Sequence, residues 1–86
     1  MDILIGHVTH YYNRIGVAVI EVSDELNIGD TILLLGHTTD FTQTVASMEI
    51  NHQRVLQVGA GQEVAIKIDE PVRKLDQVYK VVDDGE

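Results

Sequence analysis

Cysteine is absent from the 86 residues of this chain, which excludes disulfides and thiolate metal sites and leaves packing and backbone pairing to supply stability. Such a composition suits a reducing, cytoplasmic setting. Basic residues are scarce: 6 Lys and Arg stand against 14 Asp and Glu, a formal charge of −8. That balance opposes non-specific nucleic-acid binding, which depends on clustered cations. An RNA contact would need a local basic face on an acidic body. No apolar run approaches the ~20 residues of a membrane span. The opening stretch MDILIGHVTHYY has no basic leader, so the chain reads as soluble, without signal peptide or membrane partner.

What is present is apolar and β-rich. The hydrophobic fraction of 44% is enough for a core and argues against disorder. A chain this short makes one domain, burying roughly 60–65% of the surface its unfolded form exposes. Helical periodicity is weak, while alternation and β-branched residues recur throughout. Strands are expected at 3–11, 16–22, 31–35, 41–50, 54–58, 63–68 and 77–82, with one helical turn near Asp24-Glu25-Leu26. Reversals are expected at Asn13-Arg14, Gly29-Asp30, Asn51-His52 and Gly59-Ala60-Gly61. Gly29-Asp30 reads as a tight turn, with glycine at positive φ and the aspartate bonding nearby amides. Six or seven short strands with regular turns suit a small barrel or sandwich, and closure favours the barrel because it removes exposed edges. The domain is expected to cover residues 1–82, leaving an acidic, frayed tail at 83–86.

The order GVAVIEVSDELNIGDTILLLG, FTQTVASMEI, VGAGQEVAIKI, DQVYKV resembles the second, β-barrel domain of the translational GTPases, the family of elongation factor Tu and initiation factor two. The matching parts are Gly29-Asp30, Gly36, Met48-Glu49-Ile50, Ala60-Gly61 and Val64-Ala65-Ile66. The same pattern is similar to the C-terminal domain of collagenase-like peptidases that act in RNA modification. The resemblance implies a closed six- or seven-stranded barrel of the domain 2 type, working by contact with tRNA, the ribosome or a translation-associated protein. It places a glutamate that meets the aminoacylated tRNA end on Glu49. Asn51 and His52 stand where that family has an aromatic and an arginine, and Glu63 where it has asparagine. The phosphate loop G-x-x-x-x-G-K-[ST] of a GTPase is missing, and Gly59-Ala60-Gly61 lacks its lysine and hydroxyl, so no GTP binding is expected.

Other chemistry finds little support. His7 and His10, three apart in a strand, are expected on opposite faces and unable to chelate together. His37 and His52 fall in separate loops. Ser23 and Ser47 lack a nucleophile elbow, and capping and strand packing account for them. Asp24-Glu25, Asp69-Glu70 and Asp83-Asp84 read as solvated charges, and Thr38, Thr39, Thr42 and Thr44 as strand formers. The expectation is a non-enzymatic binding module without cofactor or metal. For RNA, the candidate contacts are Glu49, His52, Arg54, Arg73 and Lys74. For a protein partner or a second copy, alternation sends Leu33 and Leu35 outward, and likewise Val17 and Val19; adjacent strands would make these one apolar patch.

Overall fold

The computed structural model describes residues 1–82, so the tail expected at 83–86 lies outside the described residues. The fold is all-β. Its strands are β1 (Asp2–Tyr12), β2 (Val17–Val22), β3 (Leu26–Asn27), β4 (Thr31–Leu35), β5 (Asp40–Thr44), β6 (Met48–Ile50), β7 (Gln53–Arg54), β8 (Gln57–Val58), β9 (Glu63–Lys67) and β10 (Gln77–Val81). The helical turn expected near Asp24 is replaced by a bend in which the Glu25 amide bonds Asp24 Oδ1 at 2.7 Å. Ser23 therefore caps no helix. The run expected as one strand over 41–50 breaks at Val45, whose N–H donates to Asp30 O at 2.8 Å while its carbonyl accepts from Gly29. The expected 54–58 strand divides similarly between β7 and β8.

Alternation decides what is buried. Ala18, Ile20 and Val22 of β2, Ile32 and Leu34 of β4, and Val64 and Ile66 of β9 all point into one cluster with Ile5, Val8, Leu26, Met48 and Val78. Full burial of such a side chain stabilises by roughly 1.5–3 kcal/mol. In a chain without disulfides, this face of the sheet is the main source of stability.

The larger sheet runs β5-β4-β10-β1-β2-β9-β6-β7, and β3 with β8 forms a separate pair. This corrects the expectation of a closed barrel. β5 and β7 are ladder ends, and no strand pairing joins them. Instead a side chain links β5 to the end of β9. The buried Gln43 of β5 donates from Nε2 to Lys67 O at 2.8 Å and accepts from the Asp69 amide at 2.7 Å. Its carboxamide presents one donor and one acceptor, as a peptide group does, and so replaces two ladder bonds at the end of β9.

Curvature comes from β1. It pairs with β10 through Asp2 to His7 and with β2 through Gly6 to Tyr12, and its register shifts between Leu4 and Gly6 and again between Val8 and His10. Each bulge bends and twists the strand. At Gly6 a Cβ would fall 2.4 Å from the Glu21 carbonyl oxygen, so glycine allows β2 to approach at the bend. The second bulge overturns the expected placement of the histidines. One extra residue restores parity, and His7 and His10 both face outward, opposite Glu21 and Val19.

The turns follow expectation. Gly29 has φ +93°, and Asp30 Oδ2 accepts from the Asn27 amide at 2.9 Å. Asp76 was not anticipated: its buried carboxylate accepts from Thr39 Oγ1 and from the Arg73 amide. Gly36 lies against it where a Cβ would collide. Thr39 is thus a buried turn residue and not a strand former.

Replacing Gln43 with alanine leaves the Lys67 carbonyl and Asp69 amide without partners. Gln43→Ala is expected to cost about 2–3 kcal/mol. For a domain this size that is a fall in Tm of roughly 10 °C or more. The Asp69 amide should lose its protection in native-state hydrogen exchange, while amides of β1 and β2 keep theirs at equal global stability.

Candidate functional site

The ladder sorts the outer face of the sheet into rows. One joins His7, Glu21 and Glu63, the next His10, Val19, Ala65, Glu49 and Arg54, and the third Tyr12, Val17 and Lys67. A groove of about 610 Å³ opens over these rows. Its floor is Val17, Val19 and Ala65, all half-buried. Glu49 and Glu63 stand beside that floor, and Asn51 and His52 reach it from the β6–β7 turn. Tyr12 and Ile15, both exposed, form the remaining wall, with the Tyr12 ring 4.5 Å from that of His10.

Two features of the groove oppose stability. Glu63 lies directly across the ladder from Glu21, and like charges in that position repel. Glu21 finds His7 Nε2 at 3.6 Å, but neither Glu63 nor Glu49 has a hydrogen bond or ion pair among the described residues. Arg54 is paired with Glu49 across the hairpin without forming an ion pair. The second feature is the turn itself. Asn51 and His52 have φ of +51° and +66°, the two-residue hairpin geometry that normally selects glycine at its second position. A histidine held there strains the backbone.

A larger depression, about 710 Å³, lies beyond Glu21 and is lined by Leu4, His7, Gln77 and Leu75. Leu75 is 70% exposed and held at φ +77°.

The structure therefore regroups the residues expected from sequence. Glu49 and His52, taken as RNA contacts, share one groove with Val17 and Val19, taken as partner contacts. Leu33 and Leu35 belong elsewhere. β10 and β1 lie between β4 and β2, so the single patch expected from all four residues is corrected to two separate regions. The reason is that β1 is long enough to pair on both sides. Leu33 is half-buried opposite Tyr79 and Thr42. Arg73 and Lys74 are exposed in the loop before β10, away from the groove lining, and Arg54 lies on edge strand β7. Tyr12 and Ile15 were missed in sequence, and the outward parity of Tyr12 follows only once the bulge is placed. Among the described residues, no three His, Asp or Glu come together to hold a metal ion. Ser23 and Ser47 make no side-chain bond to a histidine or carboxylate. No helix among them is long and apolar enough to cross a membrane.

No known family profile matches the chain. It is 44% identical over 76 residues to an uncharacterized protease of Methanocaldococcus jannaschii, covering 87% of this chain and 19% of that protein. It is 38% identical over 80 residues to a collagenase of Porphyromonas gingivalis, covering 91% and 19%. The chain thus spans about a fifth of the length of these relatives. Among solved structures, it is similar to the C-terminal domain of a Geobacillus thermoleovorans protein classed with the U32 peptidases. The TM-score is 0.87 over 92% of each chain at 20% identity, which establishes a shared fold. The collagenase-like half of the resemblance seen in sequence is supported by these matches.

Relieving either unfavourable feature should stabilise the domain. His52→Gly is expected to raise stability by about 1 kcal/mol, by removing a non-glycine residue from the left-handed region. Glu63→Gln should add roughly 0.2–1 kcal/mol by ending the repulsion with Glu21. Urea denaturation midpoints at unchanged m-value would check both.

Proposed function

We propose that this chain is a non-catalytic protein-docking module, of the kind that forms the C-terminal domain of U32 peptidases and collagenase-like proteins. One observation carries the reading. Glu49 and Glu63, whose side chains have no hydrogen bond or ion pair among the described residues, sit over an apolar floor in a groove whose turn tolerates a strained His52. Natural domains retain such costs where contact with another molecule offsets them. The similarity to only about a fifth of each protease supports an accessory role.

The competing reading has tRNA or the ribosome bound through Glu49, His52, Arg54, Arg73 and Lys74, in a translation or RNA-modification setting. It has less behind it. The groove lining contains carboxylates and no lysine or arginine, and a phosphate backbone is repelled by the former and needs the latter. Arg73-Lys74 lies outside the groove.

Site-specific photocrosslinking in cells separates the two. A photoreactive phenylalanine at Tyr12 should give nuclease-resistant protein adducts, and the same group at Thr42, on β5 away from the groove, should give few. Adducts that vanish on nuclease treatment would support the RNA reading, and equal yields at both positions would remove the groove from either.

A further inference from the structure

The groove's chemistry specifies what it takes. We propose that its occupant is a basic peptide segment, with a lysine or arginine side chain laid along Val17, Val19 and Ala65 and its cationic head between Glu49 and Glu63. This rests on the docking reading above and goes beyond it by naming the ligand class.

The argument begins with geometry. Glu63 and Ala65 are two apart on one face of β9, and Glu49 is paired with Ala65 from the other side. The two carboxylates therefore flank a methyl-sized residue, and Val19 lies across the ladder from that same alanine. An apolar strip next to paired carboxylates matches a long aliphatic stem carrying a charged end, the way lysine and arginine cover apolar surface. The small Ala65 leaves the space over the strip open. Neither carboxylate has a hydrogen bond or ion pair among the described residues, so an incoming cation breaks no existing pair.

Alternative occupants fit less well. An acidic or phosphorylated ligand meets Glu49 and Glu63 unopposed. A purely apolar segment would bury two carboxylates without compensation, which is costly. A bare divalent ion has no third ligand in reach among the described residues. Arg54, the cross-strand neighbour of Glu49 in the β6–β7 hairpin, is placed to compete for that carboxylate, although no ion pair joins them.

The test uses the full chain, ¹⁵N-labelled, titrated with acetylated and amidated octapeptides that carry lysine, arginine, norleucine or glutamate at two central positions of a Gly-Ser background. The lysine and arginine peptides should shift the amides of Val17, Val19, Glu49, Glu63 and Ala65 saturably. The norleucine peptide should bind at least about tenfold more weakly and the glutamate peptide not at all. Glu49→Gln combined with Glu63→Gln should weaken lysine-peptide binding about tenfold or more, and the charge-matched control Asp40→Asn with Glu70→Gln should leave it within about twofold. Arg54→Gln should tighten it, an effect that a purely structural role for the hairpin does not produce.

Equal binding of lysine and norleucine peptides, or shifts dispersed over the acidic surface and abolished equally by both double variants, would overturn the proposal. So would stronger binding in the groove of a single-stranded RNA octamer than of the arginine peptide. If the peptides fail while Tyr12 still yields nuclease-resistant crosslinks in cells, the docking reading stands and the basic-peptide assignment falls. If both fail, the groove is not a docking site.

Discussion

A sheet of eight strands has two faces, and a chain of 86 residues carries enough apolar side chains to bury only one of them. The sheet must therefore bend until that face encloses itself, and the remaining features of the structure follow from how the bend is made. The two bulges in β1 supply curvature, because an unpaired extra residue increases local twist. Curvature brings β5 opposite the end of β9. There the two backbones are not paired, and the Gln43 carboxamide spans the interval. A polar side chain in this position is acceptable only because both its bonds are made; half-satisfied, it would cost more than an apolar residue.

Enclosing one face frees the other. Outward residues on β2, β9 and β6 have no neighbouring layer to satisfy, so their identities are not fixed by packing. That is where the unfavourable choices collect: Glu63 against Glu21, and His52 at a left-handed turn position. The inner face shows nothing comparable. No buried side-chain polar atom among the described residues lacks a hydrogen bond, and the Asp76 carboxylate, Gly36 and Thr39 fit together closely. The contrast between a satisfied interior and these costs on the outer face is what the proposed docking role rests on.

The contrast also sets what could be read from the sequence. Parity was legible. Ala18, Ile20 and Val22, with Ile32 and Leu34, follow as inward once alternation sends Val17, Val19, Leu33 and Leu35 outward, because one slip exposes an entire face. Turn chemistry was equally readable at Gly29-Asp30 and at Asn51-His52. Strand order was not. Nothing local to Leu33 or Val19 says that β10 and β1 pass between them, and so the single patch was drawn across strands that do not touch. Bulges were invisible because one inserted residue leaves no compositional mark, yet it reversed the predicted side of His10. The role of Gln43 could not be read, since closure by a side chain depends on two backbone groups distant in sequence. Glu49 and His52 were singled out through a family resemblance, while their grouping with Val17 and Val19 needed the ladder.

The acidity of the chain has to be separated from the acidity of its groove. A formal charge of −8 attracts any cation weakly and without selection. At physiological ionic strength, screening acts over about 8 Å. Most of those carboxylates are then silent toward a ligand on the outer face of β9. What remains is the local set, Glu49 and Glu63, in reach of a floor that can exclude water on contact. Exclusion of water is what converts a weak surface attraction into a selective one, because the same charge pair interacts more strongly as the effective dielectric falls. Neither component suffices alone: carboxylates on an open surface bind little, and a short apolar strip has no preference among side chains. The pairing of Glu49 with Ala65 and of Ala65 with Val19 sets one carboxylate and the strip in a single ladder row, Glu63 stands in the next row on the same face of β9, and the proposed selectivity rests on that adjacency.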